Sequence, residues 1–188
     1  MKIISLFSGA GGLDLGFENA GFEIVFANEF DSHIWATYEK NHTCALNHQD
    51  LRKIDINTIP DADGLIGGPP CQSWSAAGAQ KGIKDSRGQL FINYIEVLKI
   101  KKPKFFICEN VPGILFEKNK DALNSFIKSF DEANYNVIIK KINASSVGVP
   151  QDRERVIFFG IRKDLNIIPN LDLPSCKKTN LREAIQDL

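Results

Sequence analysis

The sequence predicts an α/β protein, a mostly parallel twisted sheet with helices on both faces. Three observations lead there. Short runs of β-branched and aromatic residues alternate with longer amphipathic segments, the rhythm of strand, crossover helix and strand. A glycine-rich turn, Ser8-Gly-Ala-Gly-Gly12, joins the first such run to the first amphipathic segment. At 188 residues, 43% hydrophobic and 24% charged, the chain has the size and composition of one globular domain with a substantial core.

Ile3-Ile-Ser-Leu-Phe7 reads as the first strand. Residues 13–20 follow as a helix, closed by Gly21 where a left-handed residue ends a helix. Residues 22–28 form the second strand, after which Asp31 caps a helix through Tyr38. Residues 46–50 are a short third strand and 62–67 a buried fourth. Residues 79–87 are polar, glycine-bearing and without periodicity, so they read as a loop. Helical spacing returns over 90–100. Lys104-Phe-Phe-Ile-Cys-Glu109 is a strand of nearly pure hydrophobics, and Asn110-Val-Pro-Gly113 is the turn after it. Residues 121–133 are helical, with Leu123, Phe126, Ile127 and Phe130 on one face. Residues 136–142 and 155–161 are the last two strands. Beyond Pro169 order fades, although 179–185 has the residues to cap and start a final helix. No repeat or low-complexity tract interrupts the series, so 1–188 reads as a single domain.

The totals exclude several classes. Lysine plus arginine number 23 and aspartate plus glutamate 23, so net charge gives no global case for a polyanion partner. The local clusters Lys99-Ile-Lys-Lys-Pro-Lys104 and Lys118-Asn-Lys120 read as solvated helix ends. No apolar run is long enough to span a membrane, and the N-terminus lacks a signal peptide's pattern, which predicts a cytoplasmic protein. Cys44, Cys71, Cys108 and Cys176 are scattered, without metal-ligand spacing, so free thiols and no metal site are expected. His33, His42 and His48 have no obvious partners.

Several places carry chemistry. Phe7-Ser-Gly-Ala-Gly-Gly12 has the form of a nucleotide loop: glycines permit close backbone approach, and the following helix N-terminus favours a carboxylate or phosphate. It is not Gly-x-Gly-x-x-Gly and no Lys-Ser/Thr follows, which disfavours a phosphate-gripping P-loop; a purely structural turn fits equally. Glu29, just past the second strand, reads either as an exposed loop acid or as the acid for both hydroxyls of a ribose, and Asp50 could similarly meet an adenine amino group. Gly67-Gly-Pro-Pro-Cys71 presents a thiol on a stiff turn at a strand's end. By local geometry alone that also suits an inert buried cysteine. Glu109 ends its hydrophobic strand, so its carboxylate is expected in a partly desolvated rim, a setting suited to proton donation. Gln151-Asp-Arg-Glu-Arg155 opens a strand in which period two sends Gln151, Arg153 and Arg155 one way, either as a grip on a polar ligand or as a salt-bridged strand end.

In this order, these motifs resemble the cytosine-C5 DNA methyltransferases of the bacterial restriction–modification type, over nearly the whole chain. Phe7-Ser-Gly-Ala-Gly-Gly12 is similar to that family's cofactor loop, Asn28-Glu29 to its ribose acid, and Gly68-Pro-Pro-Cys-Gln72 to its nucleophile motif. Arg87-Gly-Gln-Leu-Phe91, Glu109-Asn-Val111 and Gln151-x-Arg-x-Arg155 match later motifs. The resemblance implies a Rossmann-like S-adenosylmethionine-dependent methyltransferase fold and S-adenosyl-L-methionine as cofactor. It implies duplex DNA as the partner, with the target cytosine flipped from the stack. It assigns the methionine end of the cofactor to Phe7, Ser8, Gly9, Ala10, Gly11, Gly12 and Leu13. Glu29 would take the ribose and Asp50 with Leu51 the adenine, while Phe30, Pro70 and Leu90 with Phe7 supply apolar walls. Cys71 is implied as the thiolate adding to cytosine C6, Glu109 as the group at ring N3, and Arg153 with Arg155 as holders of the base. Gln72, Ser73, Asn110 and Gln151 are implied as further substrate contacts, with 73–87 closing over DNA.

Members of that family continue well beyond this length, through a target-recognition region and late motifs that are absent here. The expectation is therefore a fold truncated before target recognition: a fragment, one subunit of a split enzyme completed by a second chain, or a truncated product. A non-catalytic cofactor-binding or interaction subunit and a tRNA-acting relative are the alternatives. The intact Cys71, Glu109, Arg153 and Arg155 argue against the first. Ser-Trp-Ser after the cysteine motif leans away from the second.

Overall fold

A computed structural model of the chain describes residues 1–70, 86–173, 176 and 179–186. Seven strands form one sheet in the order β3-β2-β1-β4-β5-β7-β6. They are β1 Lys2–Leu6, β2 Glu23–Asn28, β3 Leu46–Asn47, β4 Gly64–Gly67, β5 Phe105–Asn110, β6 Tyr135–Asn143 and β7 Glu154–Arg162. The helices are α1 Gly12–Asn19, α2 Ser32–Asn41, α3 Ser86–Lys101, α4 Lys120–Glu132 and the short α5 Leu181–Ile185. β1 to β5 pair in parallel, whereas β7 runs antiparallel to both β5 and β6.

Period two divides the core between the two faces of the sheet. Ile4, Leu6, Leu65, Phe106, Val156 and Phe158 pack with Tyr94 and Leu98 of α3 and Phe126 and Phe130 of α4. Ile3, Ile24, Ala27 and Ile66 form a second cluster with Tyr38, Leu13, Phe17 and Trp35 of α1 and α2. Both faces of the central strands are covered, which explains why the sequence shows β5 as an almost unbroken hydrophobic run.

Most expected elements form, with differences that have local causes. The third strand stops at Asn47 because Asp50 turns back to cap a 3-10 turn at Leu51–Lys53, accepting the Arg52 amide at 3.0 Å. Helix α3 begins at Ser86, inside the stretch expected to be loop. On α4 the buried stripe is Ala122, Phe126 and Phe130, spaced by four; Ile127 lies off that stripe and is 39% exposed. Gly21 closes α1 at φ 83°, as expected, and Asp31 caps α2 through the His33 amide. α5 starts with a reciprocal capping box between Asn180 and Glu183. The basic cluster after α3 is a helix end with carboxylate partners, Lys104 lying 2.7 Å from Asp63.

Among the described residues no helix is long and apolar enough to cross a membrane.

Candidate active site

The marked residues gather at the carboxyl edge of the parallel strands. The chain reverses direction of travel there, between β1 and β4, the usual place for a ligand in an open α/β sheet. β1 ends at Leu6, and Phe7 adopts a left-handed conformation, φ 55°, uncommon for a residue with a bulky side chain. The turn beyond it uses Gly9 and Gly11, at φ 56° and 85°. The Ser8 amide donates to the Asn28 carbonyl at 3.1 Å and the Gly11 amide to the Ser8 carbonyl at 3.0 Å, tying the loop to β2. Gly11 leaves no room for a side chain: a Cβ would lie 1.9 Å from Nε2 of His42.

His42 is a residue that sequence reasoning undervalued. Its side chain is buried, stacks on Tyr38 with ring centres 4.3 Å apart, and holds Nδ1 2.9 Å from the Glu18 carboxylate. The other two histidines also have carboxylate neighbours, His33 with Asp31 and His48 with Glu39. Two of the three pairings join separate elements, so sequence spacing could not reveal them.

Glu29 stands just past β2. Its Oε2 accepts from the Gly9 amide at 3.0 Å and its Oε1 from the Asp31 amide at 2.8 Å, so one carboxylate clamps the glycine loop against the start of α2. Beside it opens a pocket of about 200 Å³ lined by Phe7, Glu29, Phe30, Asp50, Leu51, Pro70 and Leu90 among others. All seven were singled out from sequence. The lining of Asp50 differs in one respect: both its oxygens accept from the Arg52 guanidinium, which holds its carboxyl below the usual carboxylate range. Arg52, adjacent in the same pocket, was not anticipated.

A larger pocket of about 690 Å³ shares Phe7 with the first. On one side lie Ser8, Gly9, Gly12 and Leu13; on the other are Glu109, Arg153 and Arg155, with Gly67 and Gly68 also in the wall. The antiparallel turn of β7 is what brings the arginines here, since its first residues lie at the edge where β5 ends. Glu109 lies in a partly buried rim, as its strand suggested, but it is paired rather than alone. Its side chain is 34% exposed, and its Oε1 lies 2.5 Å from Nε of Arg155. Its other oxygen packs at Gly68, where an added Cβ would come within 3.1 Å. Gly67 is tighter still, a Cβ there meeting the Leu6 carbonyl at 2.3 Å.

Some expected residues are placed elsewhere. Ala10 and Gly11 line neither pocket, Gly11 serving as the left-handed residue before α1. Gln151 does not share a strand face with the arginines, because Asn143 accepts the Arg153 amide at 3.2 Å and pairing begins only at Glu154. Gln151 is exposed and lines neither pocket. Asn110 is 4% exposed, and its side chain donates to the Pro69 carbonyl at 3.3 Å and accepts the Val111 amide at 2.8 Å. It braces the segment leading to Cys71. Cys71, Gln72 and Ser73 lie outside the described residues, as do positions 74–85 of the expected closing loop.

The family model for the C-5 cytosine-specific DNA methylase matches residues 1–188. The chain belongs to that family.

Among its relatives are the Type II methyltransferases M.FnuDI of Fusobacterium nucleatum and M.NgoPII of Neisseria gonorrhoeae. Each is 56% identical over all of this chain, which covers 56% and 57% of them respectively. A solved structure assigned as a prophage-encoded DNA modification methyltransferase of E. coli superposes with a TM-score of 0.85 at 30% identity, over 98% of this chain and 54% of that one. This methylase chain thus spans a little over half the length of the curated relatives it matches. The sheet and its helices are those of the Rossmann-like methyltransferase fold. Among the described residues of the methylase chain, no group of histidine, cysteine, aspartate and glutamate is arranged to hold a metal ion.

Proposed function

We propose that the protein carrying this chain transfers a methyl group from S-adenosyl-L-methionine to C5 of a cytosine flipped out of duplex DNA, through a covalent bond to Cys71. Residues 1–188 would be its catalytic and cofactor-binding domain, and protection of host DNA in a restriction–modification system its purpose. One observation carries the reading: a small pocket with apolar walls and the carboxylates of Glu29 and Asp50 adjoins a larger one bearing an acid and two arginines, and Phe7 belongs to both. The first fits a nucleoside, with Phe30, Pro70 and Leu90 as walls and Glu29 for the ribose hydroxyls. The bound cofactor supplies an electrophilic methyl on a sulfonium.

The chain's own groups supply the rest. Cytosine C5 is a weak nucleophile until a thiolate adds to C6. In this reading Cys71 makes that bond and Glu109 hydrogen-bonds or protonates ring N3, drawing off the charge pushed into the ring. Arg155 holds the base carbonyl while its contact with Glu109 keeps the two groups in register. Arg153 steadies base or backbone. After transfer, solvent takes the C5 proton, and the electron pair left behind re-forms the C5–C6 double bond and expels the thiolate, restoring Cys71.

The test is transfer of labelled methyl to duplex DNA by the protein, with any partner chain that completes it. Cys71→Ala is expected to abolish both transfer and the stable adduct with a 5-fluorocytosine duplex. An adduct that survives the substitution would show a different nucleophile.

A further inference from the structure

Beneath the glycine loop lies a series of buried hydroxyls and one carboxylate that the proposed chemistry does not use. Asp14, in the first turn of α1, is fully buried. One oxygen accepts the Ser5 hydroxyl at 2.6 Å and the other the Tyr38 hydroxyl at 2.7 Å. Ser5 is 1% exposed, and its Oγ lies 2.9 Å from Oγ of Ser8 in the loop.

A hydroxyl has one hydrogen to give. Ser5 gives its hydrogen to the carboxylate, so between the two serines Ser8 is the donor. The other acceptors near the Ser8 hydroxyl, the Ser5 and Asn28 carbonyls at 3.4 Å, belong to β1 and β2 and lead the same way, into the sheet. Ser8 also lines the larger pocket. With its hydrogen turned inward, it offers that pocket only lone pairs.

We propose that Asp14, acting through Ser5, fixes Ser8 as an acceptor for a protonated amine, so that the loop selects the α-ammonium group of an amino-acid-bearing nucleoside. This rests on the cofactor reading above. Ser8 is the contact; Asp14 and Ser5 are positioning residues. Asparagine at position 14 reverses the relay. Tyr38 is fully buried and keeps an acceptor only if the new amide oxygen faces it, which turns the amide N–H toward Ser5. Ser5 then donates to Ser8, taking up one of its lone pairs and no longer accepting its hydrogen, which leaves Ser8 a poorer acceptor for an ammonium.

Titration calorimetry with three ligands tests this: S-adenosylhomocysteine, its deaminated analogue that keeps the carboxylate, and 5′-methylthioadenosine. Ser8→Ala and Asp14→Asn are each expected to weaken S-adenosylhomocysteine roughly ten- to a hundredfold, the scale of a hydrogen bond to a charged group. The other two ligands keep their affinities, and the double variant is no weaker than the weaker single one, because both changes remove the same interaction. Equal weakening of all three ligands by Asp14→Asn would mean a merely structural role and would overturn the proposal. Wild-type affinity for S-adenosylhomocysteine in Asp14→Asn would overturn it too, leaving the cofactor reading intact. A wild-type protein that binds none of the three would overturn both.

Discussion

Glu109 and Arg155 are each partly solvated, 34% and 25% exposed in their side chains, so their ion pair adds little to stability, about 0–1 kcal/mol. Their proximity matters for what it places beside Gly68 and the approach to Cys71. Glu109→Gln keeps the shape and removes the acid. It is expected to slow methyl transfer by about 10²–10⁴-fold while leaving the urea midpoint nearly unchanged. A matching loss of stability would reassign Glu109 to the scaffold. Asp50 makes the opposite case. Its carboxyl is depressed by hydrogen bonds from Arg52, so the contribution is present above the ordinary aspartate value near 3.8 and is lost as pH falls through the lower folded value. Asp50→Asn should lower stability at neutral pH, with the gap to wild type closing in acid, as pH-dependent unfolding would record. At this scale the sequence named Glu109, Arg155, Glu29 and Asp50, because charged residues at strand ends stand out. It could not show that Arg155 meets Glu109 or that Arg52 meets Asp50, since those depend on strand direction and on a turn that folds back.

At the scale of elements, periodicity was a sound guide where a helix or strand is long, as in β5 and α4, and failed where side chains redirect the backbone. Asp50 ends β3 early, and Asn143 delays β7 until Glu154. Neither effect leaves a hydrophobic signature. The glycines at the edge show how little freedom remains. β1 and β4 approach so closely that a methyl group on Gly67 would sit 2.3 Å from the Leu6 carbonyl oxygen, which is backbone and unable to swing aside. Gly67→Ala is therefore expected to cost about 1–3 kcal/mol, read from chemical denaturation. An unchanged midpoint would show that β4 can shift outward.

For the whole molecule, the class of fold was legible but the order of strands was not, because β7 inserts between β5 and β6 and only long-range pairing decides that. The heavier core lies on the α3–α4 face. There Phe130 is fully buried, with its ring centre 4.5 Å from that of Phe106 and 5.7 Å from that of Phe91. Phe130→Ala should cost about 3–5 kcal/mol, whereas Ile127→Ala, one position off the buried stripe, should cost well under half of that. Comparable losses would mean that α4 is rotated from the orientation described.

The antiparallel seating of β7 has one more consequence. Along its first residues the charges alternate: Arg155 turns to Glu109, while Glu154 turns the other way, 2.8 Å from Lys141 of β6. A slip of one residue in pairing would exchange the faces. It would set Glu154 against Glu109 and Arg155 against Lys141, two like-charge collisions in place of two attractions. The same arginine that would hold a base thus also disfavours the slipped register of its own strand.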